Sequence, residues 1–222
     1  MDEAVFFDLD KTILSVATEN YFAFHLLNKK IIRHSHLFQI LLQTLKYDLF
    51  ITRDFFSVKK KVIHIVLENQ DEKRMKSVYL EFFNSRLKNL IFPEMIQDVK
   101  KHKDQNRKMV IISASLDFIV EAFCQYLEID KYFATSLEIR NGKFTGNTLG
   151  QIYMGQAKRE ALLQFAENNH INLQKSYAYG DYIEDYHMLK AVGNPIAVNP
   201  DKKLLRKARE HNWAIKSCSI QR

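Results

Sequence analysis

The chain has 222 residues, 46% of them hydrophobic, enough for one large domain or a core with a smaller appendage that folds unaided. Its two cysteines, Cys124 and Cys218, rule out a disulfide framework and any CxxC or Cys/His metal spacing, so a reducing compartment is the simpler setting. Six of the seven net positive charges fall between Ser15 and Phe92, where 13 Lys/Arg stand against 7 Asp/Glu, which describes a basic helical face on one segment rather than a nucleic-acid footprint.

Met1-Asp2-Glu3 is acidic and precedes only a short apolar run, the wrong charge and length for a secretory signal, and no stretch approaches the roughly 18 to 20 apolar residues that cross a bilayer. A cytoplasmic protein is expected. The first element is "AVFFDLDKTIL", residues 4–14, an apolar strand that ends on Asp8 and Asp10. Residues 15–92 contain no glycine or proline, and "ENYFAFHLLNKKII", "HLFQILLQTLKYDLF", "RDFFSVKKKVIHIVL" and "KRMKSVYLEFFNSRLKNLIF" carry apolar residues at three- and four-residue steps. They predict a helical domain over 15–92, with Phe22, Phe24, Phe55 and Phe56 in its core.

From Pro93 the rhythm alternates. "PEMIQDVKKHKDQN" predicts a helix, "MVIIS" a buried strand, "LDFIVEAFCQYL" a helix, and "YFATSLEIRNGKFTG" a strand leading into a hairpin at Asn141-Gly142. A helix from about Gln156 to Asn169, the strand "SYAYG", a helix through "EDYHMLKAV", the strand "PIAVN", a helix over 201–211 and the strand "WAIK" complete the chain. Such alternation predicts an α/β fold, a mostly parallel, Rossmann-like sheet covered on both faces and built from residues 1–14 and 93–222. In sheets of this kind the site lies beyond the carboxyl ends of the strands.

The residues at those ends form a short list: Asp8, Asp10 and Thr12 after the first strand, Ser113 after "MVIIS", Asp181 and Asp185 after "SYAYG", and Lys158 on the helix that follows the hairpin. Clustered carboxylates are costly unless a cation compensates them, and Mg²⁺ is the hard ion that takes such oxygens. The set suits a phosphomonoester. One carboxylate can attack phosphorus, a second can protonate the leaving alkoxide and then activate water, and a cation, a lysine and a hydroxyl can hold the transferring group.

With DxDxT at Asp8-Leu9-Asp10-Lys11-Thr12, a strand-terminal serine, Ser113, in "VIISAS", a helix-borne lysine in "GQAKREAL" and GDxxxD from Gly180 to Asp185, the chain resembles the haloacid dehalogenase superfamily, in particular its subfamily IB hydrolases of the phosphoserine phosphatase type. The resemblance also takes in "GKFTG", "GNPIAVNPDKKL" and "NWAI". It implies a core with a helical cap inserted after the first motif. It further implies Asp8 as nucleophile and Mg²⁺ ligand, and Asp10 as general acid and base with its carbonyl on the metal. Thr12, Ser113, Ala114 and Lys158 would bind the phosphoryl group and support its loop, Asp181 would ligate Mg²⁺, and Asp185 would do so through the outer shell. The implied partner is a small phosphorylated metabolite, with no nucleic acid.

Two departures turn the reading away from phosphoserine: Ala17 stands where an acidic residue would receive the substrate amine, with Glu19 displaced, and Glu184 precedes the last aspartate where Asn is favoured. The alternatives are a lipid-headgroup phosphatase whose basic cap rests on anionic membrane, which is the less favoured of the enzymatic readings, and a non-catalytic phosphate-binding protein on the same scaffold. No GxGxxG after a strand, no GxxxxGK[ST] and no HExxH supports a dinucleotide, P-loop or zincin site. His187, beside Met188 and Leu189, reads as structural or surface.

Overall fold

The computed structural model describes residues 2–48 and 55–220; the ends of two predicted helices, 49–50 and 53–54, lie outside them. The apolar run at the start forms β1 (Ala4–Phe7), and every one of its residues is buried. Along the chain follow α1 (Thr18–Asn28), α2 (His34–Asp48), α3 (Phe55–Leu67), α4 (Glu72–Ser85), α5 (Pro93–Asp104), β2 (Lys108–Leu116), α6 (Asp117–Leu127), β3 (Lys131–Arg140), β4 (Lys143–Leu149) and α7 (Gln156–Asn168). The chain continues through β5 (Tyr177–Gly180), α8 (Tyr186–Leu189), β6 (Asn194–Val198), α9 (Lys202–Glu210) and β7 (Ala214–Lys216).

Among the described residues the strands lie in the order β4-β3-β2-β1-β5-β6-β7, and every neighbouring pair is parallel except β3 with β4. The α/β, mostly parallel architecture is therefore as expected. β1 pairs with β2 on one side and β5 on the other, so the chain's winding reverses there, at the crevice where such sheets bind ligands. Alternate residues of the central strands face opposite layers. Ala4, Phe6, Val110, Ile112 and Ala178 join one apolar cluster with Leu162 of α7, Met188 of α8 and Leu204 of α9. Phe7 and Tyr179 face the other layer, where Tyr179 hydroxyl meets His102 Nε2 of α5 at 2.8 Å. Burial, with Arg107 adding to it, lowers the His102 pKa to about 4, so this contact rests on a neutral imidazole.

By contact the chain divides into two compact units: Met1–Ala17, Arg86–Thr135 and Ile152–Arg222 form one, and Thr18–Ser85 with Ser136–Gln151 form the other. In the second, Phe22 packs edge-on to Tyr79 with ring centroids 5.1 Å apart and stacks on Phe82 at 6.1 Å. Phe22 is buried as expected, but Phe24 and Phe56 are 58% and 44% exposed; the three- and four-residue rhythm names a helix without telling which of two adjacent faces turns inward. The side chain of Phe55 lies outside the described ones. The β3–β4 turn takes the predicted form, with Asn141 and Gly142 at φ 50° and 73° between the paired Arg140 and Lys143. No helix among the described residues is long and apolar enough to cross a membrane.

The predicted helix over "KRMKSVYLEFFNSRLKNLIF" stops at Ser85, with a separate 3₁₀ turn over Leu87–Leu90, and two elements after Pro93 also differ from their predicted form. β2 runs three residues beyond Ser113, with a register shift against β3 between Ile112 and Leu116, so Ser113 lies within the strand and Leu116 takes the N-cap position of α6. The predicted helix through "EDYHMLKAV" shrinks to a 3₁₀ turn over Ile183–Asp185 and the single turn of α8, because Asp185 is pinned by backbone amides at its start.

Candidate active site

The register of the central strands assembles the site. Phe7 pairs with Tyr179 of β5, and the amide of Asp8 extends that ladder by donating to the Tyr179 carbonyl at 2.9 Å, so the residues beyond, Asp8 and Asp181, emerge at one rim. The chain then turns sharply. Lys11 takes the left-handed conformation at φ 61°, and the amides of Thr12, Ile13 and Leu14 all point back to the Leu9 carbonyl at 3.0–3.3 Å. This tight loop brings the Thr12 hydroxyl to Asp181 Oδ1 at 3.3 Å, 169 residues away in sequence.

Lys158, in the first turn of α7 and 4% exposed, is the hub of the cluster. Its Nζ donates to Asp8 Oδ1 at 2.6 Å and to Asp185 Oδ1 at 2.5 Å. The other oxygen of Asp185 accepts the amides of Asp181 and Tyr182 at 3.0 and 3.2 Å. This close seat needs Gly180, since a Cβ at that position would fall 2.7 Å from Asp185 Oδ2. The glycine of the GDxxxD motif is thus a packing requirement of its last aspartate.

One carboxylate oxygen from each of Asp8, Asp181 and Asp185 lies within 4.8 Å of the others, and all three residues are buried. Burial raises the pKa of Asp8 to about 7; Lys158 opposes the rise and Asp185 adds to it. Burial likewise raises Asp181 to about 8, with Asp8 and Asp185 pushing the same way. Burial alone would lower Lys158, but its two carboxylate partners outweigh that and hold it above the usual lysine range. One ammonium against three carboxylates leaves negative charge uncompensated in a buried place. Three hard oxygen donors that close together fit a divalent cation such as Mg²⁺, which would relieve the repulsion responsible for part of both shifts.

Asp10 is partly buried and belongs to a second, adjoining network. Its Oδ2 accepts the Ser115 hydroxyl at 2.7 Å, while the Ser115 amide donates to Ser113 Oγ at 3.1 Å. Ala114 is held between the two serines through its carbonyl, which accepts the Thr135 hydroxyl of β3 at 2.7 Å. The sequence-predicted residues accordingly gather in two sets: Asp8, Thr12, Lys158, Asp181 and Asp185 around the acidic cluster, and Asp10, Ser113 and Ala114 around Ser115. Ser115 itself, 1% exposed, was not singled out from sequence. The available signal was the two-residue spacing in "SAS", which puts both serines on one side of a strand.

His187 is exposed, in keeping with a surface role. Glu19, the displaced acid of the departure noted above, is held by Lys59 Nζ at 2.8 and 2.7 Å. Glu184 places Oε2 beside Gly155, where an added Cβ would lie 2.9 Å away.

Residues 5–190 match the family model described as haloacid dehalogenase-like hydrolase. A probable phosphatase from Mycobacterium tuberculosis is 30% identical over 221 residues, covering 97% of this chain and 75% of that protein. Among solved structures, a protein of unknown function from Bordetella pertussis Tohama I superposes with a TM-score of 0.88 at 20% identity, over 97% of this chain and 98% of that one. A phosphoserine phosphatase solved as a phospho-aspartyl intermediate analogue superposes with a TM-score of 0.71 at 21% identity, over 100% and 94%.

Proposed function

Because the chain belongs to the haloacid dehalogenase-like hydrolases, we propose that it is a Mg²⁺-dependent phosphatase that hydrolyses a small phosphomonoester through an aspartyl-phosphate. The observation that carries this reading is the buried convergence of Asp8, Asp181, Asp185 and Lys158 from three separate segments. A buried site gains no stability from an excess of like charges, so their assembly points to a ligand that uses them.

In the proposed reaction an Asp8 carboxylate oxygen attacks phosphorus, the bond from phosphorus to the substrate oxygen breaks, and Asp10 gives its proton to the departing alkoxide. Asp10, now a carboxylate, takes a proton from water as that water attacks the acyl phosphate; phosphate leaves and Asp8 is restored. Lys158 and Ser113 hold the phosphoryl oxygens, and amides at Ala114 and along the first-motif loop add donors. Thr12 braces the loop against Asp181. Asp8, Asp181 and the Asp10 carbonyl would hold Mg²⁺ directly, with Asp185 behind them. Bound there, the ion supplies positive charge against the charge that builds on the transferring group.

The helical unit is proposed to act as the cap and to select the substrate. With Glu19 engaged by Lys59, the reading favours a phosphate ester other than phosphoserine. A screen of sugar, amino-acid, nucleotide and headgroup phosphates beside a generic aryl phosphate tests it. Release of phosphate that depends on Mg²⁺ and disappears in Asp8→Asn is expected. Absence of turnover across the panel by folded, Mg²⁺-loaded protein would defeat the proposal.

A further inference from the structure

Beside α3, within the helical unit, runs a groove of about 710 Å³ whose walls are unlike those of an ordinary helix–strand seam. Ser57, Lys60, Lys61 and His64 line it at the spacing i, i+3, i+4 and i+7, which places all four on one face of α3. The apolar positions Val58, Ile63, Val66 and Leu67 are buried elsewhere on the helix, so this polar face is a deliberate second face and not a failed core. The opposite wall is β4 at Gly146–Thr148. Gly146, at φ 82°, lets the strand come so close to the helix that a Cβ there would lie 2.5 Å from His64 Nδ1.

The charge of the groove is one-sided. Lys60 and Lys61 are exposed and, among the described residues, neither forms an ion pair. By contrast the neighbouring Lys59 is buried and committed to Glu19. Among the described residues, Glu68 lies 3.4 Å from His64 Nε2, and Glu138 accepts from Arg140, Thr145 and Asn147. Phe56, 44% exposed, forms an apolar flank. The space is several times that of a single phosphate and lies in the range of small-molecule sites. A concave basic surface with a hydroxyl from Thr148 and a flat apolar edge recognises a compact, multiply charged oxyanion.

We propose that this groove is a binding site for a diphosphate group, free or carried on a nucleoside, with Lys60 and Lys61 as its charge partners. The site is separate from the acidic cluster in its residues and opposite to it in sign, and it stands whether or not the phosphatase reading holds.

Amide and imidazole NMR shifts of the full chain, titrated with pyrophosphate in chelator to keep the acidic cluster idle, test this directly. Saturable shifts are expected at His64 and at the Gly146, Asn147 and Thr148 amides. They should weaken at least about tenfold in Lys60→Glu/Lys61→Glu, whose melting temperature should stay with the parent because both positions are exposed. Added salt should weaken them as well. A nucleoside diphosphate that binds more tightly than pyrophosphate, with the gain lost in Phe56→Ala, identifies the nucleoside-borne form; equal affinities identify the free diphosphate. Silence at those amides, undiminished shifts in the folded double variant, or equal response to sulfate would each overturn the proposal.

Discussion

The acidic cluster beyond β1 and the basic groove beside α3 carry charge of opposite sign and hold it in opposite ways. In the cluster, Lys158 and Asp185 are 4% and 2% exposed, and the charged atoms of these two residues all have partners of defined geometry. In the groove, Lys60 and Lys61 sit in solvent with no ion pair among the described residues. A charge taken out of water costs several kcal/mol unless compensated, so burial forces exact pairing and shifts pKa values, whereas an exposed lysine can wait for a diffusing anion at almost no cost. The first arrangement suits bond-making, where atoms must be placed in advance; the second suits reversible capture.

The sharpest way to break the comparison is Asp8→Asn. Turnover of an aryl phosphate should fall by at least about 10⁴-fold if Asp8 is the nucleophile as proposed, because nothing replaces it. The metal-free protein should nevertheless melt no lower than the parent, since one of three mutually repelling carboxylates is gone. A variant that keeps activity would separate the cluster from catalysis altogether.

Metal and pH probe the same repulsion in the unaltered chain. Asp8 and Asp181 have folded pKa values raised to about 7 and about 8, from an unfolded value of 3.8, so the folded state holds their protons more tightly than the unfolded state does. Stability from these two groups is full below the unfolded value and lost as the pH rises through 7 and 8. In chelator the melting temperature should therefore fall between pH 5 and pH 8.5, and Mg²⁺ should raise it more at the upper end than at the lower. Equal stabilisation by Mg²⁺ at both ends would place the ion elsewhere.

Lys158→Met leaves Asp8 and Asp185 without their shared cation. Breaking a buried pair on one side costs about 3 to 5 kcal/mol, and chemical denaturation near pH 8 should show a loss of that order, smaller at pH 5 where Asp8, its pKa raised to about 7, accepts a proton. The mildest change is Ser115→Ala. It removes one hydrogen bond to a carboxylate, so kcat should drop about tenfold with KM little changed and the fold intact. A Thr at 115 should restore part of the rate, and a KM effect alone would assign Ser115 to binding.

How far these residues could be read in advance follows from their chemistry. Asp8, Asp10 and Asp181 stand where apolar runs stop, with Asp185 four residues further on, and carboxylates so placed have few bland uses once several recur in order. Lys158 was legible only as a member of the series. Ser115 was not, because a serine inside a strand is common and its partner Asp10 is 105 residues away. Ser113 misled locally: it stood at the end of the predicted strand "MVIIS", but the pairing of Leu116 with Thr135 carries the strand past it. The exposure of Phe24 and Phe56 was equally hidden, since both fit an apolar helical rhythm.

From the order of amino acids alone follow the alternation of strands and helices, the hairpin at Asn141-Gly142 and the acidic motifs, because each depends on side-chain periodicity or backbone chemistry within a few residues. Folding in three dimensions decided which carboxylate meets Lys158, which serine meets Asp10, and which lysines on α3 are spent in ion pairs. Those outcomes rest on distances between segments far apart in the chain, and burial then converts the distances into pKa values and charge balance that no local pattern encodes.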